Sequence, residues 1–130
     1  MDEKQKINEL IKQYQEAIHT QNVQNFRSLW TCDENNIMIS VVKKFYGIDA
    51  ICEDFLIGCI QKAYTTIDLI MDKIDICIIS DTLATVILEY HTDCIKRETG
   101  ERYGIQGVET QLMIKVDNEW KLQHVHYSKG

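Results

Sequence analysis

A chain of 130 residues with 45% hydrophobic and 26% charged side chains has the size and mix of one globular domain, able to bury about two thirds of its unfolded surface without disulfides. Fourteen basic against twenty acidic residues leave a formal charge of −6, the wrong sign for affinity built on neutralising phosphates, so nucleic acid is not an expected partner. The opening MDEKQKINEL is charged where a signal peptide would be apolar, and no apolar run approaches the ~20 residues of a membrane span, which predicts a cytoplasmic protein with no membrane partner.

In chain order, Ile7, Leu10, Ile11, Tyr14 and Ile18 recur at i, i+3, i+4 and i+7, predicting a helix with one buried face over residues 3–20. Asn22 is placed to cap a second, shorter helix with Val23, Phe26, Leu29 and Trp30 as its apolar stripe, ending near Thr31. The β-branched stretch NIMISVV, Asn36 to Val42, predicts a strand followed by a turn through Lys43 and Lys44. After Gly47 the helical period returns with Ile48, Ile51, Cys52, Phe55, Cys59 and Ala63 on one face, the third and last helix.

From Thr65 onward the pattern is that of three or four long antiparallel strands, broken only at SDT, near RETGE and at VDNEW. Gly100 and the Asp117–Asn118 pair supply the turn chemistry there. Five cysteines, Cys32, Cys52, Cys59, Cys77 and Cys94, are odd in number and never spaced as CxxC. They read as reduced thiols, most of them in apolar stretches. Helices first and a meander afterwards predict a single α+β domain over residues 1–130, three N-terminal helices packed on a strongly curved antiparallel sheet.

This arrangement resembles the NTF2-like, or SnoaL-like, superfamily, a cone-shaped α+β fold. The local resemblance is to the association (hub) domain of calcium/calmodulin-dependent protein kinase II. It is carried by EAI at Glu16 to Ile18, by the segment opening at Gly47–Ile48–Asp49, and by the final VETQLMIKVDNEWKLQHVHYSKG. The resemblance implies a pocket between helices and sheet, and dimerisation through the sheet. In the hub domain three arginines converge in that pocket, and the matching positions here are Tyr90, Gln111 and Tyr127. None is basic, so a hub-like grip on a small carboxylate does not carry over. The only arginines are Arg27, Arg97 and Arg102, and of these Arg102, near a strand start, is the one for a cavity mouth.

Strand alternation puts Ala84, Val86, Leu88, Tyr90 and Thr92 on the core face and His91 on the other. Tyr90, Gln111 and Tyr127 could present neutral hydrogen bonds to a small apolar or aromatic molecule, with Tyr14, Trp30 and Phe55 as walls. The alternative is that these rings simply fill the cone. Glu109 shares the Gln111 face and is the candidate general base, its pKa raised if desolvated; the competing reading is a solvated or salt-bridged residue at the strand's open end. Val108, Thr110, Leu112, Ile114 and Val116 make the opposite face apolar as well. Both faces are therefore expected to be buried, the second against another copy of the chain in a homodimer or higher homo-oligomer.

Alternation places Trp120, Leu122, His124 and His126 on one face and Gln123, Val125 and Tyr127 on the other, barring a bulge. The hub resemblance then turns Tyr127 to the cavity and both histidines outward. Three functions follow. One is a ligand-binding or association module. Another is an isomerase, dehydratase or cyclase that uses Glu109 or His126 as base, with Tyr14 and Asp33 or Glu34 completing an isomerase-like layout. The third is a metal hydrolase assembled from His124, His126, His91 and Asp93. The sequence calls for neither a metal nor a cofactor.

Overall fold

The computed structural model describes residues 1–130. The elements are α1 (Glu3–Thr20), α2 (Val23–Ser28), β1 (Ile37–Ile39), β2 (Lys44–Tyr46), a helix opening as one α turn at Ile48–Ala50 and continuing as a π-helix over Ile51–Gln61 (together α3), then β3 (Tyr64–Ser80), β4 (Leu83–Lys96), β5 (Arg102–Tyr103), β6 (Gln106–Val116) and β7 (Glu119–Lys129). The strands form one sheet in the order β2-β1-β7-β6-β4-β3, with β5 added to β4. It curves around the helices as expected of the α+β cone. The sheet is mixed, because β1 joins β7 in parallel while every other pairing is antiparallel.

α1 starts where its sequence supplies a reciprocal cap: the Gln5 N–H donates to the Asp2 carboxylate at 2.8 Å, and the Asp2 N–H to the Gln5 side chain at 2.9 Å. These satisfy donors that a first turn leaves free. The buried stripe Ile7, Leu10, Ile11, Tyr14, Ala17 and Ile18 packs on β3 and β7. Glu3 ties this end to the β6–β7 hairpin by accepting from Lys115 at 3.0 Å and from the Trp120 indole at 2.7 Å. Those two hydrogen bonds hold its carboxyl down at about 2.

α2 is shorter than the periodicity predicts. Its expected last residues leave the helix because Leu122 offers backbone partners: the Leu122 N–H donates to Leu29 at 2.8 Å, and the Thr31 N–H donates to Leu122 at 3.0 Å. Trp30 therefore lies in a parallel bridge to Leu122. The strand predicted over Asn36 to Val42 ends at Ile39, and the turn expected through Lys43 and Lys44 runs over Ser40–Lys43 instead. The Ser40 hydroxyl accepts from the Val42 and Lys43 N–H groups at 3.2 and 3.1 Å, and Lys44 already begins β2.

In α3 the buried residues are Ile51, Cys52, Phe55, Leu56 and Ile60, not the predicted set that ended at Cys59 and Ala63. A π-helix bonds i to i+5 and winds wider than an α-helix, so its inner face drifts away from the 3.6-residue period. Gly47, at φ 86°, makes the sharp entry from β2 that a side chain would resist.

One bulge decides how β7 faces. Leu112 pairs with His124 but Met113 with Leu122, leaving Gln123 as the extra residue. Strict alternation is therefore broken. Trp120 and Leu122 before the bulge are buried, and so is Val125 after it, whereas His124 is half-buried and His126 exposed on the outer face.

Candidate functional site

The helices do not fill the cone. A cavity of about 400 Å³ remains between α1, α3 and the concave face of the sheet. α1 contributes Tyr14 and Ile18, α3 contributes Phe55, Cys59 and Ile60, and the sheet contributes Ile67, Leu69, Tyr90, Cys94, Glu109 and Tyr127. The mouth is formed by the more exposed lining residues, among them Val41 and Val42 from the β1–β2 turn, Tyr103 and Lys129.

Glu109 sits on β6 opposite Leu88 of β4 and Tyr127 of β7, which places it in the middle of the sheet rather than at an open end. It is 2% exposed and takes part in none of the ion pairs of the chain. The reading of Glu109 as a solvated or salt-bridged residue is thereby corrected. The Gln111 side-chain N–H donates to Oε2 at 2.6 Å, and the Tyr14 phenol lines the same cavity. Burial pushes the carboxyl up to about 7, and the Gln111 hydrogen bond and then the Tyr14 phenol pull against it.

Three phenols surround that carboxyl. Burial, and then the nearby Glu109, push Tyr14 and Tyr127 well above the ordinary tyrosine value and Tyr90 up to about 12. All three stay neutral near pH 7. The Tyr90 hydroxyl donates to the Ser128 carbonyl at 2.9 Å. Phe55 meets Tyr127 at 6.1 Å between ring centroids and 61°, and Tyr90 meets Tyr127 at 6.2 Å and 89°.

Of the residues singled out from the sequence, the structure brings Tyr14, Phe55, Tyr90, Tyr127 and Glu109 together at the cavity. Gln111 lies behind Glu109, fully buried, and reaches the cavity only through it. Trp30 is not a wall. It packs into the core against Phe26 at 6.0 Å, because the α2 end that carries it is drawn onto the sheet. His126 is exposed on the outer face, directed there by the Gln123 bulge, and stands apart from the cavity.

Asp33 and Glu34 are exposed, with Asp33 accepting from the Asn35 N–H at 2.9 Å; they do not complete an isomerase-like layout. Arg102 pairs with Asp93 at 3.1 Å and His91 with Asp72 at 2.8 Å. No three histidine, cysteine, aspartate or glutamate side chains gather as a metal-binding group. Sequence reasoning missed Ile67, Leu69 and Lys129 as lining residues, along with the Val41–Val42 pair, whose apolar character in a turn was the available signal.

An α+β cone with an apolar cavity beneath its first helix is the class that this geometry defines. Residues 7–129 match the family described as SnoaL-like domain, and the chain belongs to that family. No curated protein matches it in sequence. Among solved structures it superposes on an NTF2-like superfamily protein from Salmonella enterica with a TM-score of 0.93 at 24% identity, over 97% of this chain and 89% of that one. A Xanthomonas campestris protein, provisionally described as a calcium/calmodulin-dependent protein kinase II association domain, gives 0.85 at 16% identity, over 100% and 89%. A Novosphingobium aromaticivorans protein, provisionally described as a scytalone dehydratase, gives 0.88 at 18%, over 98% and 84%. At these identities the likeness shows the fold alone.

Proposed function

We propose that the chain is a small-molecule-binding NTF2-like domain whose cavity takes a largely apolar or aromatic compound, anchored at the Glu109–Tyr14–Tyr127 end. The observation that carries this is the location of one carboxyl group inside an otherwise apolar cavity. Desolvating it costs stability, and a role in binding or chemistry accounts for its being there. The test is a thermal-shift screen of aromatic and polycyclic compounds alongside Cys59→Trp, which projects an indole into the cavity. Ligands that raise the melting temperature of the parent are expected to lose that effect in the variant, and a shift unchanged by the indole would place binding elsewhere.

A second reading is favoured by the carboxyl at about 7. A base poised near neutrality, with neutral phenols beside it to donate to a developing oxyanion, is the arrangement for abstracting a proton next to a carbonyl. Dehydratases and dehydrochlorinases are among the proteins of this fold, which supports an acid–base role without specifying a substrate.

The outer face supports assembly with a second copy. Ile87, Val108 and Val116 are each more than 40% exposed, and Thr110 pairs with both Ile87 and His126 in the centre of the sheet. Burial, and then His126, push the His124 imidazole down, which favours its neutral form. Apolar at its centre, bordered by Asp75 opposite Ile87 and Glu89 opposite Val108, and located mid-sheet, this patch suits a self-complementary interface. Ile87→Lys is expected to convert a dimer to a monomer in sedimentation equilibrium; a parent already monomeric at high concentration would overturn the assembly.

A further inference from the structure

We infer that the cavity selects an organic cation, an amine whose ammonium group sits against the Glu109 carboxylate and whose apolar or aromatic body fills the remaining space. This rests on the reading of the cavity as a binding site and names the class of molecule it takes.

The charge balance is the first support. The ionisable groups that share the cavity with Glu109 are Tyr14 from α1, Cys59 from α3, Tyr64 from β3, Tyr90 and Cys94 from β4, Tyr103 from β5 and Tyr127 from β7. None of these can carry a positive charge. Lys129 is the single cation among the lining residues, and it is exposed at the mouth and makes no ion pair. A buried carboxylate without a countercharge is held partly protonated; an entering ammonium would supply that charge and convert the group to its ionised form.

The walls are the second support. Phe55, Tyr90 and Tyr127 all line the cavity, and Tyr127 meets the other two edge to face, at 61° and 89°, rather than in a stack. Aromatic faces attract ammonium groups through the ring quadrupole, more strongly where water is excluded. An anion would meet both the ring faces and Glu109, and is disfavoured by each.

Spare hydrogen-bonding capacity is the third. The Gln111 N–H accounts for one of the about four acceptor positions of a carboxylate. Tyr90 donates away from Glu109, to the Ser128 carbonyl. The acceptor positions that remain can take N–H bonds from an ammonium, which are charge-assisted and stronger than those a neutral hydroxyl would make.

The experiment uses the full chain and three indoles that differ only in their termini: tryptamine, tryptophol and indoleacetate, titrated calorimetrically. At about pH 8 tryptamine is expected to bind at least about tenfold tighter than tryptophol, with indoleacetate weakest. Lowering the pH to about 5.5 protonates Glu109 while the amine stays charged, so tryptamine affinity should fall by about tenfold or more and tryptophol affinity should hold. In Glu109→Gln the preference for tryptamine should shrink to within about threefold, with tryptophol still bound.

Tryptophol binding as tightly as tryptamine at both pH values, or a preference that survives in Glu109→Gln, overturns the cation class and leaves the binding site standing. Failure of all three indoles to bind overturns both readings. The pH comparison needs only the parent chain, so the inference remains testable even if the variant does not fold.

Discussion

Replacing Glu109 by glutamine is expected to stabilise the folded chain above neutral pH, by up to about 3 kcal/mol, the equivalent of moving one carboxyl from its ordinary value to about 7. The sign follows from proton counting. Between the unfolded value of 4.5 and about 7 the folded state holds a proton that the unfolded chain has released. Stability therefore falls as pH rises through that window and levels off above it.

Glutamine has nearly the same shape and keeps an oxygen for the Gln111 amide to donate to, but it has no charge to desolvate. Urea midpoints from about pH 4 to about pH 8 should slope downward for the parent across the window and less steeply for the variant. Parallel curves would show that Glu109 is ionised and fully satisfied when buried. The same substitution removes the base, so any solvent-deuterium exchange that the protein promotes at a carbon acid in the cavity should stop. A residue that stabilises when neutralised yet is needed for function is the signature of a site kept at the expense of the fold.

Phe26→Ala should be among the most damaging single truncations. Phe26 is 0% exposed, and its ring lies 5.8 Å from Tyr14, 6.0 Å from Trp30 and 6.2 Å from Phe55. It is the one buried residue of α2, so its removal both opens a cavity and unfastens that helix. The expected loss is about 3–5 kcal/mol, a large part of the total stability of a domain this size. Denaturant unfolding measures it directly, and a loss below about 1 kcal/mol would mean that the neighbouring rings collapse into the space. Because Tyr14 and Phe55 both rest on Phe26 and both line the cavity, ligand binding should weaken together with stability.

Much of this architecture could be read from residue spacing. α1 was legible to its termini because its apolar stripe keeps one helical period from Ile7 to Ile18, although its reciprocal cap at Asp2 and Gln5 went unread. The long strands were legible because alternation persists over ten residues or more with turn residues between them. Where two physical signals competed, the reading slipped. The end of α2 lost to backbone partners on Leu122, which no local pattern encodes, and α3 has an apolar face that follows π-type winding instead of the α period.

At the site, Tyr90 followed from alternation along β4, whereas Gln111 and Glu109 were turned inward by the resemblance, against a β6 pattern whose other face is the more apolar. Trp30 was misplaced by the same error that lengthened α2. The facing of β7 depended on a single extra residue, Gln123, whose bulge has no composition marker. The Val41–Val42 lip was overlooked because apolar residues in a turn were counted as part of a strand.

The parallel pairing of β1 with β7, Met38 beside Val125, has a kinetic consequence. The antiparallel strands β3, β4, β6 and β7 can zip up from successive hairpins, each closing a short loop. β1 can form a local hairpin with β2, but that hairpin must wait for β7, the last strand to follow, before it joins the rest of the sheet. α1 packs on β3 and β7 together, so its seat is complete, and Glu109 gains its Tyr127 neighbour, only when β7 arrives. The rate at which this seam closes should govern how long the inner face of the sheet stays open to solvent, to chaperones and to a second copy of itself.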